Sequence, residues 1–379
     1  MYFILNKKKI KDFYKKNTAK TWLLLLFIVV VIFVFHDAVL YKKPIGKVTN
    51  ISVKHSRTDT NFNNEGRKDQ EPIYEQVLTI KVLNGTYKGK KVIVKEEYGY
   101  SLIDSEKYKK GDCVFLNITG NKHDFSASIQ GVKRDQYVML LVVVLAYFII
   151  FLMGKRGVLI FLSLVINVGV FIYGLNLYQK GNDLRSICNV LIFFFTVITL
   201  FLVNGVNQRS FIAIISTFIT IFFTILIFQM VLKYGGNIDY AALDYITGNQ
   251  DLELIFIASI SIAGLGAIMD VSVTISTALN ELIVKKPEMK GRELIYSGKE
   301  LGYDIMGTMT NVLLFTYVCG LFPLIIIKMK NSISLLTIIK RQIPFEISRF
   351  LIGGIGILLA IPVTIGVSLI WITIRRQKR

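Results

Sequence analysis

Asp270 is the residue whose chemistry demands an explanation, because it lies five residues after the strongly apolar run LIFIASISIAGL. It lies within GAIMDVSVTIS, together with Gly266, Ser272, Thr274 and Ser276. A carboxylic acid in a lipid-spanning helix is costly, so it normally faces a cavity or a partner. The sequence therefore predicts that Asp270 binds an ion, relays a proton or forms a structural ion pair.

The residues around Asp270 form a small, polar stripe if this segment is helical. Ala263, Gly266, Ala267, Asp270 and Thr274 share one face through spacings of three and four residues. The rest of the helix is apolar, and small residues allow another helix to approach closely.

A second polar stripe is predicted in the next apolar segment. Asp304, Gly307, Thr308 and Asn311 are spaced by three, four and seven residues, and Glu300 extends their face by one turn. Two acids, an asparagine and several hydroxyls could coordinate a cation, relay protons or bind a polar solute. Helices interrupted by glycine near such groups are common in transporters.

Other interpretations of these residues remain open. Asp270 could be solvated near the membrane interface, or could pair with Lys285 or Arg292, and the hydroxyls could bond to their own helices. Asp304 could cap a helix and interact with its dipole.

An intramembrane aspartic hydrolase using Asp270 and Asp304 is a further alternative. No Walker loop, HExxH, kinase or nucleophile-elbow motif is present, so we predict no enzyme, cofactor or metal.

The composition defines the broad class. The chain has 379 residues, of which 53% are hydrophobic, and its mean hydropathy is +0.53. Several apolar runs reach the ~20 residues needed to cross a bilayer as a helix. The net charge of +19 indicates a bias of Lys and Arg toward the cytoplasmic side, with no motif for nucleic acid. The three cysteines and three histidines are dispersed, which argues against a disulfide framework or a metal centre.

The N-terminal part is predicted to contain a cytoplasmic basic tail (1–20), an uncleaved membrane anchor (21–40) and an extracytoplasmic β-rich domain (41–135). Alternating residues predict four to six strands, which could form a compact OB-type barrel. The charged segment 55–72 is predicted to be a flexible loop.

Residues 136–375 are predicted to form a membrane domain, which brings the total to eight spans. Its seven helices are expected at 137–153, 158–175, 187–203, 211–232, 254–275, 309–327 and 350–372. Segment 276–305 is predicted to be a cytoplasmic amphipathic connection of one or two short helices, broken near Pro287. The glycine-rich sequence that begins at Phe350 is predicted to be a packing face with a proline kink.

The distribution of Lys and Arg places both termini in the cytoplasm. The acidic loop 233–253 is then extracytoplasmic. One connection disagrees with this topology, because several basic residues would fall outside: Lys328, Lys330, Lys340, Arg341 and Arg349. We expect residues 332–345 to be interfacial or re-entrant.

Two blocks carry a family resemblance. GAIMDVSVTISTALNEL and GYDIMGTMTNVLLFTYVCGLFPL resemble the YibE/F family of bacterial multi-pass membrane proteins. Val312 departs from the small polar residue expected after the asparagine, while Asp304 and Asn311 match. The resemblance implies a plasma-membrane protein from a low-GC Gram-positive bacterium, and it implies no particular activity.

These observations give three hypotheses. The first is a secondary transporter or permease component, with Asp270 as the ion or proton site lined by Asp304, Asn311, Thr274 and Thr308. The second is a scaffold or assembly factor whose domain 41–135 binds a protein or an envelope component. The third is the intramembrane enzyme. The expected partners are the lipid bilayer, such an envelope partner and a second copy of the chain, without nucleic acid.

Overall fold

The computed structural model describes residues 24–62, 68–102, 105–120, 125–235, 252–331 and 333–377. The chain divides after Val158 into two compact units. The predicted basic tail and nearly all of the predicted acidic loop 233–253 lie outside the described residues.

Unit 1 contains the predicted anchor and the β-rich domain. The described part of helix α1 (Leu24–Phe35) is apolar and starts at the first described residue, and residues 21–23 of the predicted anchor lie outside the described part. A 3₁₀ turn follows at Asp37–Leu40. Helix α2 (Asp135–Met153) ends the unit and is long and apolar enough to span.

Five strands form one antiparallel sheet. They are β1 (Ile45–Phe62), β2 (Lys68–Val82), β3 (Lys91–Gly99), β4 (Cys113–Gly120) and β5 (Phe125–Val132). Their order is β3-β2-β1-β4-β5, and β3 also contacts β5. The first four strands follow the Greek-key order, and the approach of β3 to β5 gives a partly open five-stranded barrel. This arrangement agrees with the OB-type prediction.

Alternation along the strands builds the core of this domain. Leu78, Ile80 and Val82 on β2 are at most 1% exposed, and they pack with Val114 and Leu116 of β4. Burial in β3 also alternates residue by residue. Because successive side chains point to opposite faces, the period of two in the sequence identified this buried face.

The prediction of a flexible loop at 55–72 was wrong for the described part of that segment. β1 and β2 remain paired from Arg57↔Ile73 to Phe62↔Lys68, whereas pairing of β2 with β3 begins only at Ile73↔Gly99. The result is a two-stranded arm, whose tip at 63–67 lies outside the described residues. Since no described side chain at 57–59 or 70–73 is buried, the sequence there carries no hydrophobic alternation.

The side chain of Asn84 holds the segment that follows α1 against the barrel. Its Oδ1 accepts a hydrogen bond from the Ile45 amide at 2.6 Å. Its Nδ2 donates to the carbonyls of Ala38, Tyr41 and Lys43 at 2.8, 2.9 and 3.1 Å. One buried amide therefore satisfies the backbone amide at the start of β1 and three carbonyls of the segment before it.

Beside this segment, Lys133 forms a buried ionic cluster. Lys133 is 2% exposed, and its Nζ lies 2.7 Å from Asp37 and 3.2 Å from Asp135. Burial alone would lower the pKa of Lys133, but the hydrogen bonds to the two carboxylates outweigh it and raise that pKa. Tyr41 donates its hydroxyl to Asp135, and this bond, with burial, raises the pKa of Tyr41 to about 12.

Replacing Lys133 tests this cluster. Lys133→Met leaves Asp37 and Asp135 without their cation, so we expect the free energy of unfolding of unit 1 to fall by about 3 kcal/mol. Hydrogen exchange of the sheet amides in the full chain measures this loss. The exposed Lys42→Met is the control, and equal protection in both variants would contradict the structural role of Lys133.

Unit 2 is entirely helical in its described part. Its helices are α3 (Lys155–Gln179, which begins just before the division), α4 (Leu184–Asn204), α5 (Gln208–Gly235), α6 (Leu252–Lys285), α7 (Gly291–Lys330) and α8 (Leu335–Gln377). With α2, seven described helices are long and apolar enough to cross a membrane. The eighth predicted span contains α1, of which twelve residues are described.

Helix α8 packs against α5, α6 and α7. Phe345 stacks on Phe256 of α6 with ring centroids 4.1 Å apart, and Gly356 further along α8 contacts Ile268 further along α6. The two helices are therefore parallel. The glycine-rich segment is a packing face, as predicted, because Gly353 and Gly356 lie within it and are covered by neighbouring helices.

The last three helices are longer than the sequence indicated. In place of short helices at 276–305, α6 continues to Lys285 and α7 begins at Gly291, so the connection is a short turn around Pro287. In place of a re-entrant segment at 332–345, α8 is continuous from Leu335 (residue 332 lies outside the described part). The charged residues in these regions lie on extensions of the helices. Because spans were identified in the sequence as apolar runs, these charged extensions were left out of them.

Candidate functional site

Asp270 lies near the middle of α6 and on its outward face. Ala263, Gly266, Asp270 and Thr274 are all exposed in unit 2, whereas Ala267 is half-buried. A Cβ placed on Gly266 would meet no atom within 4 Å. The small, polar stripe predicted from the sequence is therefore real, but no described helix of unit 2 covers it.

The stripe on α7 also faces outward. Glu300, Asp304, Gly307, Thr308 and Asn311 are exposed, and a Cβ on Gly307 would likewise meet open space. Both stripes thus lie on the surface of the bundle.

The two acids lie at a similar depth. Counted from the turn at 286–290, Asp270 and Asp304 are each about 20 Å along their helices at a rise of 1.5 Å per residue. Within the described residues neither carboxylate forms a hydrogen bond or an ion pair, so Asp270 is not paired with Lys285 or Arg292 there. The two carboxylates therefore lie at similar distances from the turn, and no contact between them is seen in the described structure.

The hydroxyls of the two stripes bond to their own helices. Thr274 Oγ1 donates to the carbonyl of Asp270 at 2.7 Å, and Thr308 Oγ1 donates to that of Ile305 at 2.9 Å. This back-bonding was the structural alternative considered from the sequence. Each threonine still presents oxygen lone pairs beside an acid.

Close packing on the opposite face explains why the polar stripe of α7 faces outward. Gly298 and Gly302 face α8, where added Cβ atoms would lie 2.8 Å from Ile365 and 2.5 Å from Ile361. Helices approach this closely only where glycine lacks a side chain. The glycine face therefore binds α8, and Asp304 points away from it.

A second polar group lies inside the bundle, and the sequence analysis named only two of its members, Ser272 and Ser276. Ten hydroxyl side chains on α5, α6 and α8 are buried, and we call eight of them the hydroxyl seam: Ser216, Thr217, Thr220, Thr224, Ser272, Ser276, Thr364 and Ser368. The four on α5 share one face through their spacing. This spacing could have predicted a buried polar face from the sequence, but it lies in a strongly hydrophobic segment without any charged residue.

The hydroxyl seam runs between three helices. Thr364 Oγ1 of α8 donates to Ser272 Oγ of α6 at 3.3 Å. A Cβ on Gly356 of α8 would lie 3.3 Å from Thr224 Oγ1 of α5. α5 is antiparallel to α8, because Arg375 near the end of α8 bonds to Gln208 at the start of α5. Thr220, Thr217 and Ser216 therefore follow Thr224 toward the level of Thr364.

Metal ligands of the usual kinds do not converge in the described part of the chain. No group of three or more His, Cys, Asp or Glu side chains is found there. Cys113, Cys188 and Cys319 are free thiols.

The helices define a class of protein. Seven of them have the length and hydropathy of membrane spans, and they expose large apolar side chains such as Leu141 and Phe315, at 70% and 67%. The chain is a polytopic membrane protein with an antiparallel β domain near its N-terminus.

Residues 141–374 match the YibE/F-like protein family, and residues 39–132 match the YibE/F family N-terminal domain. The chain therefore belongs to the YibE/F family. No curated protein and no solved structure matches it significantly.

Two glycines of α7 allow a matched test of the packing. Gly302→Ala forces Ile361 to move, so we expect it to destabilise unit 2 by about 1–3 kcal/mol. Gly307→Ala meets open space and also favours the helix, so it should be neutral or slightly stabilising. Thermal unfolding in detergent compares the two, and equal losses would contradict the inward orientation of Gly302.

Proposed function

We propose that this protein is a secondary transporter or permease component and that Asp270 is its ion- or proton-coupling group. The observation that carries the proposal is an unpaired carboxylate at the middle of an apolar, membrane-length helix, on a face of small and polar residues. The proposal assigns no catalytic group.

Lipid contact would be costly for this carboxylate. A charged side chain at the bilayer centre is disfavoured by about 3 kcal/mol or more, so such residues normally face protein or water. Since Asp270 has no partner among the described residues, the face must meet a water-filled path or another protein surface. Gly266 would let that surface approach, as small residues do in membrane helices.

The α7 stripe supplies additional polar groups at the same depth. Asp304 and Asn311 offer carboxylate and amide oxygens, and Thr308 and Thr274 offer hydroxyl oxygens whose protons are already donated. Glu300 extends this lining toward the 286–290 turn. We propose that the two stripes border one path, completed by a second copy of the chain or by a partner protein.

We also propose a location and an orientation. The chain would lie in the plasma membrane of a bacterium, with both termini in the cytoplasm. The family and the concentration of Lys and Arg in the predicted inner segments support this proposal.

Ion flux in proteoliposomes tests the proposal. Wild-type protein should dissipate a proton gradient or a cation gradient, and Asp270→Asn should reduce that flux to the level of empty vesicles while leaving thermal stability near wild type. Glu281→Gln, an exposed acid nearer the end of the same helix, should retain the flux. Wild-type flux in Asp270→Asn would remove Asp270 from the path.

A second candidate function is favoured by the β1–β2 arm. The pairing of β2 with β3 stops at Ile73, whereas the pairing of β2 with β1 continues beyond it. Residues 52–58 of β1 are exposed. Such an arm could bind a protein or an envelope component and make the chain a scaffold or assembly factor. Absence of flux in wild-type protein under every cation and pH gradient tested would favour this candidate.

Cysteine labelling tests the proposed orientation. In a background without Cys113, Cys188 and Cys319, we expect Asp112→Cys to react with an impermeant maleimide added outside intact cells. Lys290→Cys should react only after the membrane is opened. Labelling of both variants from outside would contradict the proposed topology.

A further inference from the structure

The outer edge of strand β1 has no partner strand along most of its length in the described structure. β4 pairs with β1 only over Ile45–Lys47, and the loop before β4 adds two hydrogen bonds at Val48. From Asn50 onward, β1 pairs with β2 on one side only. Because backbone N–H and C=O groups on such an edge are unpaired, an open edge is a template for another strand.

The opposite edge of the β1–β2 arm, which β2 forms, is closed. Pro72 has no N–H to donate, and proline on an edge strand is a common protection against unwanted pairing. Next to it, Glu71 Oε1 accepts a hydrogen bond from the Ser101 amide at 2.8 Å, which holds the turn after β3 beside β2. β1 contains no proline, so a further strand would add to the β1 edge of the arm.

Pro72 also determines where the backbone groups of Thr58 point, because the two residues are paired. In an antiparallel pair, opposite residues either exchange both of their hydrogen bonds or direct both groups away from each other. Proline lacks the N–H that the first arrangement needs, and in sheets it is placed where that group would face outward. Thr58 therefore directs its N–H and C=O to the open edge.

The charges on either side of Thr58 are self-complementary. Arg57 Nε lies 3.0 Å from Asp59 Oδ1 on one face of β1, and the two side chains are 57% and 44% exposed. If two β1 strands pair antiparallel with Thr58 opposite Thr58, Arg57 of each copy lies opposite Asp59 of the other. Centring the pair on Arg57 or on Asp59 instead places like charges directly opposite, which is destabilising.

Arg57 has donors to spare for a second carboxylate. Within the chain its Nε contacts Asp59, and its Nη1 lies 3.2 Å from Glu97 Oε2. A guanidinium has five N–H donors in all. Arg57 can therefore keep both contacts and add one to Asp59 of another copy.

We propose that β1 pairs antiparallel with β1 of a second copy of this chain, about a two-fold axis at Thr58. Thr58 of each copy exchanges N–H···O=C bonds with Thr58 of the other, and two Arg57–Asp59 pairs flank these bonds. The regular contact is short, because a register shift interrupts β1 between His55 and Arg57. Since both copies are held in one membrane, their effective concentration is high and a short contact can suffice.

This inference rests neither on transport nor on a scaffold role. It gives the β1–β2 arm a specific partner, a second copy of the chain, and it does not involve Asp270. Cross-linking measures the pairing without any flux, so failure of the transport proposal would leave it standing.

Oxidative cross-linking of the full chain in native membranes tests the pairing. In a background without the three native cysteines, Thr58→Cys places two thiols opposite each other. Their Cα atoms would be about 5.5 Å apart, which a disulfide spans. We expect a disulfide-linked dimer as the main product.

Ser52→Cys is the matched control, because Ser52 is exposed on the same strand. In the proposed register the two copies of Ser52 lie roughly 40 Å apart, so this variant should remain monomeric. Equal labelling of both variants by a maleimide under reducing conditions controls for folding and access.

Charge exchange tests the register. Asp59→Arg opposes arginines and Arg57→Asp opposes aspartates, so either chain alone, carrying Thr58→Cys, should cross-link about tenfold less. When the two chains are expressed together with different tags, both opposite-charge pairs are restored. Mixed dimers should then greatly exceed their statistical share.

The proposal is overturned if Thr58→Cys cross-links no better than Ser52→Cys. It is also overturned if the two charge variants form mixed dimers only in statistical proportion. Capture of Thr58→Cys by a different protein, in place of its own copy, would likewise overturn it.

Discussion

The close packing of α8 on its neighbours determines which faces of unit 2 are inside. Gly298 and Gly302 bring α7 onto Ile365 and Ile361, and Gly356 brings α8 onto Ile268. Lipid gives apolar side chains little reason to be buried, so close contact at small residues replaces the hydrophobic effect as the force between helices. Once these glycines are inside, the rotation of each helix is fixed, and the polar stripe of α7 has to lie on the outside.

Polar atoms within the bundle follow a related constraint. Because no water is available in the hydrocarbon region, each helix satisfies its own backbone, and most hydroxyls bond to a carbonyl one turn back. Two groups depart from this pattern, namely the acid of Asp270 on the surface and the hydroxyls of Ser216, Thr217 and Thr220 inside. The first of these departures carries the functional proposal, since the fold alone gives no reason for a carboxylate on that face.

The sequence predicts those features of the fold that depend on local pattern. Apolar length identified the helices, and alternation identified strands such as β3. The β1–β2 arm was missed because no described side chain at 57–59 or 70–73 is buried, so pairing there leaves no hydrophobic signal. The two polar stripes were found from their spacing, but spacing shows which residues share a face and not which neighbour they meet. Ile268 and Val271 look suited to lipid, yet they are at most 2% exposed and form the core.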